Sequence, residues 1–369
     1  MPRELGEYTP RFPALEQWTY LSTASFGQIP NRSKAALDRH FAHRNELACS
    51  DFVQWFDDMD RIRASVSKLV GCETQDIAFI PNASTALSLL LGGIAWQPGD
   101  QILSFEGEFP NQLYYPAHLA AKGVELIVAP VGELLEHLTE RTRLVAISTV
   151  NYSNGYTAPV AEIGRVLQER GVLFYLDGTQ SAGALCIDLA AVQPDMFAVH
   201  AYKWMLSPNG AGFVYVAPRL RTVLEPAVIG WRSDRDWRSV DTLNQGDPRF
   251  SNAAEKYEGG MLNFSVLYAM GETVEMMFEI GPERIEARVL ELGRRVREIV
   301  QQAGATVAYE GSPIVSAYFP DADSSAIAAA LKRERIIVAA RQGKLRISPH
   351  FYNNEADLQR FADVLQRVR

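Results

Sequence analysis

The stretch VLFYLDGTQSAGALCIDLAAVQPDMFAVHAYK, from Val172 to Lys203, decides the fold of this chain. It contains two short apolar runs, 172–176 and 196–199, separated by turn and helix residues. Such runs are typical of strands that are buried on both faces of a sheet. We therefore predict two buried strands, the first followed directly by Asp177 and the second by His200.

The same alternation of apolar runs and helical segments extends from about residue 60 to residue 217. The segment 160–169 is amphipathic, with Ile163, Val166 and Leu167 on one face, as in a helix that covers a sheet. This pattern favours an α/β fold, a mainly parallel sheet between layers of helices, which binds its ligands at the carboxyl ends of the strands. The seven predicted strands are 77–80, 101–105, 124–129, 144–149, 172–176, 196–199 and 212–216.

The last hundred residues have a different pattern. A long amphipathic helix is predicted for 282–302, because Pro282 lies in its first turn and Gly304 follows its end. We predict a large domain of residues 21–260, a smaller α+β domain of residues 261–369, and an N-terminal segment, 1–20, that packs with the smaller domain. The other elements predicted for the smaller domain are strands 314–319, 336–340 and 345–348 and helices 325–334 and 355–368.

Composition and charge exclude several classes of protein. The 369 residues are 47% hydrophobic and 22% charged, as in an ordinary globular protein, and the net charge is −8. We expect no nucleic-acid partner, because such proteins carry a basic surface. No membrane span is expected, since the longest apolar run, 86–96, is too short to cross a bilayer. No secretory signal is expected, because residues 1–7 contain no apolar h-region. Three scattered cysteines favour a reducing compartment and hence a cytoplasmic location.

Lys203 is the one lysine of seven that lies within an apolar run. It could extend its amine from a strand end to solvent, or it could be a desolvated amine of lowered pKa that reacts with an aldehyde. Asp177 could simply cap the turn that follows its strand. Together the two residues indicate pyridoxal 5′-phosphate (PLP), which needs a lysine for its aldehyde and an anion beside its pyridine nitrogen.

With this pair in view, the chain resembles the class V aminotransferase family of fold type I PLP enzymes, which includes cysteine desulfurases, kynureninase and isopenicillin N epimerase. The resemblance runs from about Tyr20 to the C-terminus. Asp177-Gly-Thr-Gln180 is similar to the family's Asp-Gly-x-Gln. The resemblance implies that Asp177 contacts the pyridine nitrogen and that Gln180 contacts the ring hydroxyl.

A second motif, His200-Ala-Tyr-Lys203, is similar to the family's Ser-x-His/Tyr-Lys signature. The resemblance implies that Lys203 is the Schiff-base lysine and that Tyr202 and His200 reach the phosphate. Histidine at position 200 departs from the commoner serine.

Pro81-Asn-Ala-Ser-Thr-Ala follows a strand and opens a leucine-rich helix. Free N–H groups at a helix N-terminus form an anion site, although Asn82 or Ser84 could be only an N-cap. The match to the family's phosphate loop implies that Ala83 and Ser84 contact the phosphate. Phe109 occupies the position of the family's ring-stacking residue, or it is a core phenylalanine.

Arg346 lies in a predicted strand and could form a surface ion pair. The resemblance implies instead that its guanidinium binds the substrate's α-carboxylate. It also implies that the segment around Ala24 lines the substrate side of the site. The segment 257–263, with Met261 in place of the usual hydroxyl residue, is similar to one that a neighbouring subunit contributes at the phosphate, so a homodimer is expected.

The resemblance implies an enzyme that acts at the α-carbon of an amino acid through an external aldimine, with class V aminotransferase as the main prediction. The segment 338–346 lacks the cysteine that desulfurases carry before the equivalent of Arg346, so a persulfide mechanism is poorly supported. C–S or C–Se lysis and epimerisation remain open, because they share the same residues.

Two other classes of function are less well supported. A PLP-sensing regulator would need a DNA-binding segment, for which the match leaves no room, and an oxidoreductase would need a nucleotide fingerprint. No metal site is predicted, because His40, His43 and Glu46 have helical spacing without a further ligand motif.

Overall fold

The computed structural model describes residues 11–369 of the chain. Its helices are α1 (Asn31–Glu46), α2 (Phe52–Val70), α3 (Ala83–Gly93), α4 (Pro110–His118), α5 (Val160–Glu169), α6 (Leu189–Val192), α7 (Pro218–Arg221), α8 (Phe264–Ile280), α9 (Pro282–Gln302), α10 (Ser324–Arg333) and α11 (Glu355–Val368). Its strands are β1 (Thr19–Tyr20), β2 (Ile77–Phe79), β3 (Gln101–Phe105), β4 (Glu125–Ala129), β5 (Thr142–Ser148), β6 (Leu173–Asp177), β7 (Met196–His200), β8 (Gly212–Val216), β9 (Thr306–Val307), β10 (Val315–Tyr318), β11 (Ile336–Ile337), β12 (Ala339–Arg341) and β13 (Lys344–Ile347).

The large sheet has the strand order β2-β8-β7-β6-β5-β3-β4. Strands β7, β6, β5, β3 and β4 run parallel, and β8 is antiparallel to both of its neighbours. The loop between β7 and β8 is too short for a helical crossover, so β8 returns beside β7 in the opposite direction. The predicted α/β fold with a mainly parallel seven-stranded sheet is confirmed.

The central strands are buried on both faces, which explains why their sequences are continuous apolar runs. Their side chains form one large hydrophobic core with the inner faces of the helices. Helix α8 packs on α1 and α2, and its residues from Phe264 to Ile280 contribute to this same core.

A second core lies between α9, α10, α11 and a four-stranded antiparallel sheet of order β12-β13-β10-β9. The predicted strand 336–340 is divided in two, because β11 pairs in parallel with β1 whereas β12 pairs with β13. Phe12 is fully buried, with its ring 4.9 Å from that of Tyr352. Residues 1–10 of the predicted N-terminal segment lie outside the described residues, and the division into domains stays a prediction.

The connection from α7 to α8 is tied to the large sheet by buried charges. Arg63 and Arg232, both nearly fully buried, approach opposite oxygens of the Glu258 carboxylate at 2.6 and 2.8 Å. The Arg232 guanidinium also lies 4.4 Å from the centre of the Trp237 ring. Arg232 and Trp237 therefore pack in the protein interior. Removing one partner from such a pair leaves an uncompensated buried charge.

Within residues 11–369, none of the helices has the length and apolar character needed to cross a bilayer.

Candidate active site

A cavity of about 290 Å³ opens at the carboxyl ends of β5, β6 and β7. The carboxyl ends of parallel strands meet at one edge of a sheet, so residues far apart in sequence converge there. Every predicted cofactor residue except Met261 lines it. The lining consists of Asn82, Ala83, Ser84, Phe109, Asn111, Ser148, Tyr152, Asp177, Thr179, Gln180, His200, Tyr202 and Lys203.

Lys203 is buried just beyond the end of β7. Its Nζ atom lies 5.7 Å from the centre of the Phe109 ring and 5.5 Å from that of Tyr202, and it makes no hydrogen bond to a described residue. Burial lowers the pKa of Lys203 to about 8, although the negative charge of Asp177 opposes this shift. A substantial fraction of the amine is therefore neutral and nucleophilic near neutral pH.

Asp177 ends β6, and its carboxylate is held by two hydrogen bonds. Oδ1 accepts one from the Thr179 backbone N–H at 2.8 Å, and Oδ2 accepts one from Nε2 of Gln112 at 2.9 Å. The sequence did not indicate Gln112, which reaches Asp177 from α4 across 65 positions. The hydrogen bonds fix an anion at the base of the cavity.

Glu108 is a buried carboxyl group to which the sequence assigned no role. It accepts hydrogen bonds from the backbone N–H of Ser148 at 2.6 Å and from its hydroxyl at 2.7 Å. Burial, with the nearby charge of Asp177, raises the pKa of Glu108 to about 7 despite these bonds. Through these two hydrogen bonds, Glu108 fixes the end of β5 next to Asp177.

The N-terminus of α3 faces the cavity. Asn82 is its N-cap, because its Oδ1 accepts a hydrogen bond from the Thr85 N–H at 3.0 Å. The backbone N–H groups of Ala83 and Ser84 have no partner among the described residues, and both residues line the cavity. The N-cap therefore leaves these two N–H groups able to bind an anion, so the two interpretations of the motif are compatible.

His200 and Tyr202 both line the cavity, and their ring centres lie 4.2 Å apart. Burial, and next the charge of Lys203, lowers the pKa of His200 to about 4, so this imidazole is neutral near neutral pH. Its Nε2 accepts a hydrogen bond from the Gly210 N–H at 3.5 Å, which leaves the proton on Nδ1.

Gln180 and Ala24 are joined directly. Gln180 donates from Nε2 to the Ala24 carbonyl at 3.1 Å, and its Oε1 accepts a hydrogen bond from the Trp204 indole at 2.9 Å. Ala24 is buried and contributes through its backbone, whereas Met261 is 63% exposed and lies outside the cavity lining of this chain.

Arg346, on β13, is 2% exposed and forms no ion pair with a described acidic residue. It donates to the Tyr152 carbonyl and to the Ser25 hydroxyl, both at 2.6 Å, and its Nε atom has no hydrogen-bond partner within residues 11–369. Burial and the neighbouring charge of Arg341 lower the pKa of Arg346 to about 10. A guanidinium in this setting is chemically suited to bind a carboxylate.

Comparison with known proteins identifies the family. Residues 20–361 match the model of the class V aminotransferases, so the chain belongs to that family. It is 23% identical over 370 residues to an uncharacterized aminotransferase of Bacillus subtilis, covering 97% of this chain and 96% of that protein. It is 27% identical over 377 residues to isopenicillin N epimerase of Streptomyces clavuligerus, covering 94% of each.

Among solved structures, the fold is similar to that of a cysteine desulfurase from Thermococcus onnurineus, with a TM-score of 0.89 and 21% identity over 99% of this chain and 98% of the other. The family and fold predicted from the sequence are confirmed. Family membership also confirms the predicted class, a PLP-dependent transferase or lyase, and the cofactor PLP. The residues fit this cofactor: an amine without a hydrogen bond, an anion, and free N–H groups line one cavity.

We predict that borohydride reduction of the PLP-loaded protein attaches the cofactor to Lys203, because its amine is buried in the cavity and largely neutral above pH 8. Peptide mapping by mass spectrometry checks this. Lys256 is an internal control, because burial also lowers its pKa but its Nζ donates to the Arg221 carbonyl outside the cavity. Loading of the apoprotein should accelerate as the pH rises through about 8. Label on Lys256, or on any other lysine, contradicts the assignment.

Proposed function

We propose that this protein is an aminotransferase that acts on an α-amino acid bound between Lys203 and Arg346. The observation that supports this most directly is the buried Arg346 guanidinium, which has no acidic partner among the described residues. It donates to the carbonyl of Tyr152, which lines the same cavity as Lys203. When bound, PLP supplies a ring that accepts electrons from the α-carbon of the substrate. The other tasks fall to groups of the protein itself.

Within this proposal, each group of the lining has a separate task. Asp177 would keep a proton on the pyridine nitrogen, and Phe109 would pack against the ring. The N–H groups of Ala83 and Ser84 would bind the phosphate, together with His200 and Tyr202. Gln180 would hold the ring hydroxyl through its amide.

Proton transfer at the substrate α-carbon falls to Lys203. Its lowered pKa of about 8 lets it take up a proton and return it near neutral pH. The Arg346 guanidinium has two N–H groups occupied by Tyr152 and Ser25, and its Nε–H is unpartnered. It can therefore fix the α-carboxylate and orient the α-carbon toward Lys203.

A desulfurase reaction that needs an enzyme thiolate is less well supported than transamination. The cavity lining contains no cysteine. Burial raises the pKa of both Cys72 and Cys186 to about 12, which keeps these thiols protonated. Lysis without an enzyme thiol and epimerisation are the alternative reactions, because they use the same lysine and arginine.

The first test of this function concerns Arg346. Arg346→Ala should leave PLP binding intact and raise the Kd for amino acids about 100-fold, because charge-assisted hydrogen bonds to the carboxylate are lost. Arg346→Lys should restore binding only in part, since an ammonium group lacks the planar fork. Titrations followed by the absorbance of the holoprotein measure both. An alanine variant that binds amino acids normally contradicts the role.

The second test separates the reactions. Incubation with a suitable amino acid and no acceptor should convert the cofactor stably to its aminated form and release one equivalent of 2-oxo acid. Replacing Cys49, Cys72 and Cys186 together by serine should leave this conversion unchanged, because no thiol reaches the cavity. Release of alanine from cysteine or selenocysteine would instead identify a lyase, and racemised substrate an epimerase.

We also propose a homodimer in which the segment around Met261 approaches the partner's phosphate site. Exposed apolar side chains support this: Met261 is 63% exposed, and Val228 and Ile229 are 52% and 58% exposed. Gly259 lies against Val228, so these residues belong to one surface.

Sedimentation at micromolar concentration should therefore detect a dimer. Met261→Asp combined with Ile229→Asp should weaken the dimer and reduce PLP affinity, because charges replace apolar contacts at the interface. Val128→Asp, at a 45% exposed position of the edge strand β4, is the matched control and should remain dimeric. A fully active wild-type monomer would exclude the proposal.

We propose a cytoplasmic location as well, supported by Cys49, Cys72 and Cys186, which are all free thiols.

A further inference from the structure

The hairpin of β12 and β13 presents a second arginine on the same face as Arg346. Ala339 pairs with Arg346 and Arg341 pairs with Lys344, whereas Leu345, between them, is buried in the second core. Directly opposed residues of an antiparallel pair project from the same face, and diagonal neighbours lie about 7–8 Å apart. Arg341 is the diagonal neighbour of Arg346, on the face away from that core.

The tip of this hairpin is attached to the active site. Nε2 of Gln342 donates a hydrogen bond to the Tyr152 hydroxyl at 3.3 Å. The Tyr152 ring packs edge-on against Phe109, with centres 5.1 Å apart, and its carbonyl accepts a hydrogen bond from Arg346. Arg341 is therefore held at the mouth of the cavity.

Arg341 has a charge that no described acidic group compensates. It is exposed, forms no ion pair within residues 11–369, and donates only to the carbonyl of its neighbour Ala340 at 2.8 Å. Its field reaches both cations of the site, because it contributes to the lowered pKa values of Lys203 and of Arg346. The substrate side of the cavity is thus more positive than one α-carboxylate requires.

We propose that Arg341 binds an anionic group at the end of the substrate side chain, so that the preferred substrate is an acidic α-amino acid. This inference rests on the proposed function, since it places the α-carboxylate on Arg346. A side-chain carboxylate or sulfinate one or two carbons farther from the α-carbon then meets the second guanidinium, which suits planar anions. The side-chain anion also relieves the mutual repulsion of the two arginines.

The experiment measures Kd values of the PLP-loaded protein by absorbance for L-aspartate, L-glutamate and L-cysteine sulfinate. L-asparagine and L-glutamine are the uncharged counterparts of the first two. The wild type should prefer each acid over its amide by about 10- to 100-fold. Arg341→Gln should bring this ratio close to one. The three acids differ in chain length and in the anionic group, so their order identifies which anion fits.

Arg170→Gln is the matched control, because Arg170 is also an exposed arginine without an ion pair among the described residues. It lies between the end of α5 and the start of β6, at the amino ends of the parallel strands and therefore away from the cavity. It should retain the wild-type ratio. Equal affinities for acids and amides in the wild type, or an unchanged ratio in Arg341→Gln, would overturn the role of Arg341 and leave the proposed function standing. If no α-amino acid binds, the proposed function itself fails.

Discussion

The chemistry of the candidate active site depends on the burial of one amine, that of Lys203. Lys203 lies beyond the end of β7 near two aromatic rings, and its buried amine makes no hydrogen bond to a described residue. Desolvation penalises the charged form of the amine, and the field of Asp177 recovers only part of this penalty. The pKa of about 8 makes the neutral, nucleophilic form of this amine far more abundant near physiological pH than it is in an exposed lysine, and the packing of the surrounding strands and loops maintains this.

The acidic groups around this amine form a connected network. Glu108 binds the end of β5 through Ser148, and Gln112 donates to Asp177 on the adjacent strand β6. Hydrogen bonds are stronger in such a buried setting, and each one fixes a strand end. Because burial raises the pKa of Glu108 to about 7, this carboxyl group is only partly ionised near neutral pH. Of the two carboxyl groups, Asp177 is the one that lines the cavity.

The second core completes the site through backbone and side-chain contacts. The segment after β13 makes two contacts near the cavity. Nε2 of His350 lies 2.9 Å from the carbonyl oxygen of Trp204, which follows Lys203 in the chain. The Ser348 hydroxyl accepts a hydrogen bond from the Ala24 N–H at 3.0 Å. These contacts bring Arg346 to the cavity. The short β12–β13 hairpin places Arg341 on the same face as Arg346. The two arginines together give the mouth of the cavity an excess of positive charge.

The amino-acid sequence by itself determined the elements whose signal is local. Apolar runs located all seven strands of the large sheet to within two residues at each end. The positions of Asp177 and Lys203 relative to these runs also predicted that the two residues share a site. Only the tertiary structure decided which groups hold that pair in place: Gln112 and Glu108 approach from other elements, and their partners lie 65 and 40 positions away. It also decided that 336–340 is two strands, since its halves pair with different partners. Periodicity records burial along one segment, whereas hydrogen bonds between distant segments depend on how the segments pack.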